Sequence, residues 1–501
     1  MIRFLSVFRE GCFSLVALVL LTTQFAAAST LESVSSGISI ADERRLGDRI
    51  ARDIFRDPDY LDDPVIADYL QTIWQPLLMS ARIRSEISPE LNAAFAWRLL
   101  QGRDRTVNAF ALPGGYFGIH LGLIGVVSTK DELASVLAHE LSHVTQRHIA
   151  RMLTRQSEQA PWLMGAMILG ALAASKNPGG ANAVIVGGQA AAAQSQLNFS
   201  RDMEREADRI GFGVSTEAGF SPLGFVSMFE KLQQSNRNND SGNFPYLRSH
   251  PLTTERIADM KSRLPENVVL APSGSLEHGM VSARARLLAN STVDGLRNWY
   301  LEASQQVAAK QTRQERVASL YGATLAAIKL REFSKARAYA DALGLMIADD
   351  DVAKRQLRYL STELAAAEGK PDTALSLLAS VMPPKTRAEL LMWVSSKVTT
   401  GQAAAAADAA QLWLIDHSAD AAMWQQLASA RAAQGRLIAA VRAEAEVNIS
   451  RLDYATAVTR LKAAQGLSKA NARPDDHIEA SIVDVRLRQI EQLLREQAVE
   501  R

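Results

Sequence analysis

Thr129-Lys130-Asp131-Glu132 opens a run that reaches His139-Glu140-Leu141-Ser142-His143, and the reading of the whole chain turns on this stretch. A threonine followed three residues later by glutamate is a helix-opening pattern. Leu133, Val136, Leu137, Leu141 and Val144 follow at helical spacing, so a helix is predicted from about Lys130 to past Arg151. Residues i and i+4 stand about 40° apart around a helix, so His139 and His143 share one face. Two imidazoles so placed can hold one Zn²⁺, and Glu140 between them can reach a water at the metal. The residue types suit the chemistry. Zinc lowers the pKa of a bound water from about 15.7 to near 7, and a carboxylate then takes its proton as it attacks a peptide carbonyl. A solvated helix with two surface histidines would carry the same five residues; the capped helix after a small sheet favours a zinc hydrolase.

Upstream, Leu46, Ile50, Ile54, Ile66, Tyr69, Leu70, Ile73 and Leu77 give a helical pattern from about Ile40 to Met79, punctuated by Asp57-Pro58 and Asp63-Pro64. Ala93–Leu100, Val107–Leu112 and Tyr116–Leu121 read as strands, with Pro113-Gly114-Gly115 as the turn between the last two. The strand Tyr116–Leu121 is either an ordinary core or edge strand or a strand that pairs with an extended substrate.

A catalytic zinc needs a third protein ligand. His148 lies five residues after His143, about 140° around the helix, and reads as a solvated or capping histidine. Ser200 to Ile210 is a second helical stretch, and its Glu204 and Asp208 are again i and i+4. One carboxylate there can ligate a metal while the other accepts the N–H of a ligand histidine. A charged, solvated helix face is the plainer explanation of the same pair.

Asn108-Ala109-Phe110-Ala111-Leu112-Pro113-Gly114-Gly115, the His139–His143 motif and Glu204-x-x-x-Asp208 together resemble the gluzincin metallopeptidases of the CAAX-protease/HtpX superfamily, over about residues 40 to 265. The resemblance implies His139, His143 and Glu204 as ligands of one Zn²⁺ per chain, Glu140 as general base and Asp208 as a partner of a ligand histidine. Ser249-His250-Pro251 matches a segment that the same family carries after its third ligand. That match brings His250 to the metal, either to stabilise the oxyanion or to occupy the open position. A loop histidine beside a proline turn is the plainer reading.

Between the two motifs stand apolar runs at Leu163–Ala174 and Val184–Ala193, too short to span a bilayer. They read as packed core helices, or as a lid or a peripheral membrane contact. Residues 29–264 are read as the zinc metallopeptidase domain and 265–280 as a Pro/Gly/Ser-rich linker. Residues 281–501 are read as a repeat domain. There Gly369, Gly401 and Gly435 are each followed five residues later by Ala374, Ala406 and Ala440, and Trp424, Leu427 and Ala428 precede the last at tetratricopeptide spacing. Arg331-Glu332-Phe333 and Ala336 form a divergent further copy. Such an array is either a plain α-solenoid or a concave groove for a peptide or protein.

The chain has 501 residues, 55 Lys+Arg against 54 Asp+Glu, and one cysteine. Its length demands more than one domain, and its balanced charge excludes nucleic acid as a partner. Arg3 and Arg9, the apolar run Phe13–Leu21 and Ala26-Ala27-Ala28 form the pattern of a secretory signal peptide over residues 1–28. Cleavage there would remove Cys12, so the mature chain could form no disulfide.

The expected molecule is mainly α: an α+β gluzincin domain with a small sheet, followed by an all-α tetratricopeptide-like solenoid. It is expected to be an exported zinc endopeptidase acting on protein substrates. The resemblance implies the periplasm and quality control in outer-membrane protein assembly, with the repeat groove delivering substrate or docking on the assembly machinery. The alternative is a repeat-domain chaperone or adaptor with a latent peptidase.

Overall fold

The computed structural model describes residues 38–155, 201–237, 244–266, 274–304, 311–471 and 476–499. The expected leader and both apolar runs between the motifs lie outside the described residues. Among the described residues, no helix is long and apolar enough to cross a membrane.

The first part is built from α1 (Ile40–Arg56), β1 (Tyr60–Leu61), α2 (Pro64–Ile83), α3 (Pro89–Ala94), β2 (Arg98–Gly102), β3 (Ala109–Leu112), β4 (Tyr116–His120) and α4 (Leu121–Val126). Then come α5 (Lys130–Thr145), α6 (His148–Arg155), α7 (Arg201–Glu217), α8 (Leu223–Arg237), α9 (Tyr246–Ser249) and α10 (Thr254–Ser262). Helices α1 and α2 begin where polar caps permit: Ser39 Oγ accepts from Asp42 N–H and Asp63 from Ile66 N–H.

The four strands lie in the order β1-β2-β4-β3, with β2 and β4 parallel and the other pairs antiparallel. Alternation sends Phe117 and Ile119 of β4 into a core shared with Trp74 of α2 and Leu137 and Leu141 of α5, whereas Tyr116 joins Leu46 and Ile50 of α1. All of β4 is buried between two neighbours. Its edge is thus closed to a substrate strand, and β3 is the outer strand on that side. The expected strand Ala93–Leu100 begins late, because Ser88 caps α3 and Pro89 starts it; extended structure resumes at Arg98, after Trp97 turns the chain at φ +50°.

Helix α5 is the centre of this part, with every residue from Glu132 to Thr145 buried. Thr129 caps it through Glu132 N–H, while the Glu132 carboxylate accepts from Ser128 N–H at 2.7 Å and pairs with Lys231 of α8 at 2.6 Å. The helix stops at Thr145 and does not run past Arg151. Arg147 takes φ +52°, held there by its bonds to Glu43 and the Ile38 carbonyl, and α6 restarts at His148.

From Leu276 the chain is helical: α11 (Leu276–Ala289), α12 (Val293–Glu302), α13 (Arg313–Lys329), α14 (Phe333–Met346), α15 (Asp351–Ala367) and α16 (Pro371–Leu378). The series continues with α17 (Arg387–Thr399), α18 (Ala403–Asp416), α19 (Ala421–Ala433), α20 (Leu437–Ser450), α21 (Tyr454–Asn471) and α22 (Asp476–Val499). Gly369, Gly401 and Gly435 sit in the turns inside successive pairs at φ +73°, +78° and +70°; Arg331 adopts the same left-handed turn at φ +59°.

The helical array is not hung on a free tether. On α11, Val281 and Ala285 belong to the core of the first part, and Met280, Ala283 and Leu287 to the core of the array. Buried Arg284 on the same helix bonds Asp63 and Glu363 at 2.7 Å each. Further on, Arg387 grips Asp62 at 2.7 Å and Asp420 at 2.8 Å. Between α20 and α21, Asp453 pairs with Arg56 at 2.9 Å, and Leu452 packs on the Leu46 and Ile50 cluster. A cavity of about 890 Å³ opens between the β1–β2 side of the sheet and the α17–α19 region.

Candidate metal centre

Three elements bring the predicted residues together. Helix α5 supplies His139, Glu140 and His143; α7 crosses it and supplies Glu204 and Asp208. The crossing is close because Gly211 faces α5: a methyl group there would stand 3.0 Å from the Ala138 and His139 backbone. The short helix α9 then delivers His250, whose N–H bonds back to the Tyr246 carbonyl at 2.9 Å and whose ring lies on the Tyr246 ring. All six residues are at most 2% exposed.

His139, His143, Glu204 and His250 each turn one donor atom into a common space, all within 4.8 Å of one another. His139 Nε2 lies 3.0 Å from His143 Nε2 and 3.3 Å from His250 Nδ1. The Glu204 carboxylate lies 3.5 Å from each of the α5 histidines and 3.1 Å from His250 Nδ1. Ligands held at about 2.0 to 2.1 Å in a tetrahedron stand about 3.3 Å apart, close to these five separations, so the group has room for one ion.

The electrostatics point the same way. Burial opposes charge on His139, but the Asp208 and Glu204 carboxylates outweigh it and push the imidazole up to about 9. Burial likewise opposes charge on Glu204, yet His250 and His139 hold it well below the usual carboxylate range. His143 is driven well below the usual imidazole range by burial and by His139. A buried, ionised glutamate among converging imidazole nitrogens is a donor set for a divalent cation, which would displace the proton that the two carboxylates hold on His139.

Glu140 stands beside this group and outside it. Ala111 N–H of β3 donates to its Oε2 at 2.9 Å, and its Oε1 lies 3.4 Å from His250 Nε2. Burial pushes Glu140 above the usual carboxylate range, and His250 and His139 only partly oppose this, which suits a proton acceptor. Asp208 Oδ1 lies 2.9 Å from His139 Nδ1.

One feature had no place in the sequence reading, and a second departs from it. Arg256 of α10 forks onto Asp208 at 2.7 and 2.8 Å, reaches Glu204 at 2.8 Å and donates to the Pro251 carbonyl at 2.8 Å. Its register with buried Ile257 and Met260 was the available signal for an inward-facing arginine. His148 is neither solvated nor a cap. It is fully buried, and its Nδ1 meets His143 Nδ1 at 2.8 Å. The break at Arg147 accounts for this, since the 140° estimate assumed an unbroken helix.

Residues 70–264 match Peptidase family M48. A putative beta-barrel assembly-enhancing protease of Vibrio cholerae is 32% identical over 304 residues, which is 60% of this chain and 60% of that one. The beta-barrel assembly-enhancing protease of Escherichia coli is 28% identical over 464 residues, 92% of this chain and 90% of that one. A mitochondrial metalloendopeptidase of Saccharomyces cerevisiae is 27% identical over 202 residues, 39% of this chain and 55% of that one. The family match takes in α5, α7 and the turn bearing His250, so residues 70–264, with the donor group at their centre, are a metallopeptidase domain belonging to Peptidase family M48.

Proposed function

We propose that the chain is a zinc-dependent endopeptidase of the periplasm that cleaves misfolded or stalled proteins during outer-membrane protein assembly. It is held latent by His250 until substrate arrives. The observation that carries the chemical part is the convergence of His139, His143, Glu204 and His250, whose donor atoms all lie within 4.8 Å of one another. The likeness to the Vibrio and Escherichia beta-barrel assembly-enhancing proteases supports the biological part.

Zinc in this site would supply a Lewis acid that acidifies water and polarises a peptide carbonyl. Glu140, steadied at Oε2 by Ala111 N–H, uses Oε1 to take the proton of the attacking water and returns it to the leaving amine. Asp208 fixes the His139 ring through Nδ1, and Arg256 fixes Asp208. The outer edge of β3, next to Glu140, offers backbone groups to an extended chain, which gives tight positioning with little sequence preference. His250 fills the fourth corner of the donor group and must leave it for a substrate carbonyl to enter. Residues 29–264 would do this chemistry, and residues 281–501, read as tetratricopeptide repeats, would collect substrate or dock on the assembly machinery.

Glu140→Gln should lower proteolysis of an unfolded substrate by at least about 100-fold while leaving one zinc per chain. His250→Ala should raise proteolysis. Metal analysis that finds no zinc in purified wild type would refute the metal assignment, and a fall in proteolysis with His250→Ala would refute the latch. The second reading, an adaptor with a mostly silent peptidase, is favoured by the seated His250 and by the cavity between the sheet and the array. It predicts that Glu140→Gln restores outer-membrane assembly in cells lacking the wild-type protein.

A further inference from the structure

We propose that His148 and Glu206 are positioning residues for His143, forming a relay that fixes which of its ring nitrogens faces the metal and strengthens that nitrogen as a donor. The inference rests on the assignment of His143 as a ligand, and the experiment below separates the two.

The geometry assigns the protons. His143 Nε2 lies in the donor group, 3.0 Å from His139 Nε2 and 3.5 Å from Glu204 Oε1, so it must be bare to bind a cation. The ring proton of neutral His143 then sits on Nδ1, which is 2.8 Å from His148 Nδ1. Two imidazole nitrogens at that distance form a hydrogen bond only if one carries a proton and the other does not. His148 Nδ1 is therefore the acceptor, and the His148 proton is on Nε2, which donates to Glu206 Oε2 at 3.0 Å. Arg151 donates to the same oxygen at 2.9 Å and balances the carboxylate charge. The order is Arg151, Glu206, His148, His143 and then the metal site.

The other α5 ligand is backed in the same manner. Behind His139 stand Asp208 at 2.9 Å and, behind Asp208, Arg256 at 2.7 Å. Both histidines thus lead to a carboxylate held by an arginine, directly for His139 and through one more imidazole for His143. The backbone is bent to make this possible: the left-handed Arg147 turns the chain so that the His148 ring, fully buried, points back at α5. A histidine kept only for packing would not need an acceptor aimed at the one N–H that His143 must donate.

Partners of this kind change metal affinity by about 10- to 100-fold. The test is zinc affinity of the purified full-length protein by competition with a chromophoric chelator, read alongside the melting temperature of the metal-free form. His148→Leu keeps volume without an acceptor and should weaken zinc binding about 10- to 100-fold; His148→Asn, whose amide oxygen takes the place of Nδ1 but does not reach Glu206, should bind zinc more tightly than His148→Leu and no more tightly than Glu206→Gln. Glu206→Gln alters a side chain that is 28% exposed, so it folds, and it should weaken binding by about 10-fold. Wild-type affinity in His148→Leu or Glu206→Gln would overturn the relay, as would a drop confined to metal-free stability. Wild type that fails to bind zinc would instead overturn the ligand assignment.

Discussion

Arg256 shows how much of the candidate metal centre is made by residues outside the donor group. One guanidinium joins Glu204, Asp208 and the Pro251 carbonyl, and so ties α7 to the loop that carries His250. Burial works against its charge, but Asp208 and Glu204 raise its pKa further above the usual arginine value. Arg256→Met would leave two buried carboxylates without their counter-charge, and the expected loss is about 3 to 5 kcal/mol, read as a fall in the melting temperature of the metal-free protein. Saturating zinc should recover part of it, because the cation replaces some of the missing charge. The sequence exposed His139, Glu140, His143, Glu204 and Asp208 because helical spacing is a local property and each pair lies within one turn. It left Arg256 unread and took buried His148 for a solvated or capping histidine, because their places depend on two changes of direction, the cap at Thr253 and the reversal at Arg147, which periodicity does not encode.

Helices were legible wherever their apolar spacing was uninterrupted, as in α1 and α2, and strands were legible only in part. The two-residue β1 sits between two Asp-Pro steps with no alternation long enough to read, and α3 was hidden by apolar residues that suited a strand equally well. Helix α11 carries a histidine whose environment makes its own prediction. Tyr69 O–H donates to His278 Nδ1 at 2.6 Å, and His278 Nε2 donates to the Val127 carbonyl at 2.9 Å, an arrangement that requires the neutral ring. Burial lowers the pKa of His278 below its ordinary 6.5, with the Val127 carbonyl opposing. The unfolded chain therefore binds this proton more readily than the folded one. The stability that His278 contributes is complete above about pH 6.5 and is lost as the pH falls from there through the lowered folded value. The melting temperature of wild type should drop more between pH 7.5 and pH 5 than that of His278→Gln; equal drops would remove His278 from the account.

At the scale of the molecule, α11 makes the first part and the array share a core, and Arg284 makes them share a buried charge. Nothing in the sequence pairs Asp63 with Glu363, since residues so distant in the chain leave no spacing to count. Arg284→Leu strips both acids of their partner and should cost about 3 to 5 kcal/mol. Because the core is common, calorimetry should record one transition moved to lower temperature; two separated transitions would mean that the parts unfold independently.

The array also meets the first part at the turn between α20 and α21, through Leu452 and Asp453. An open solenoid can gain or lose a unit, since each unit answers only to its neighbours. A solenoid that touches one body at α11, at Arg387 and at Leu452 is pinned along its length: the spacing of those contacts is set by the surface it packs on, and the number of units between them is no longer free to vary.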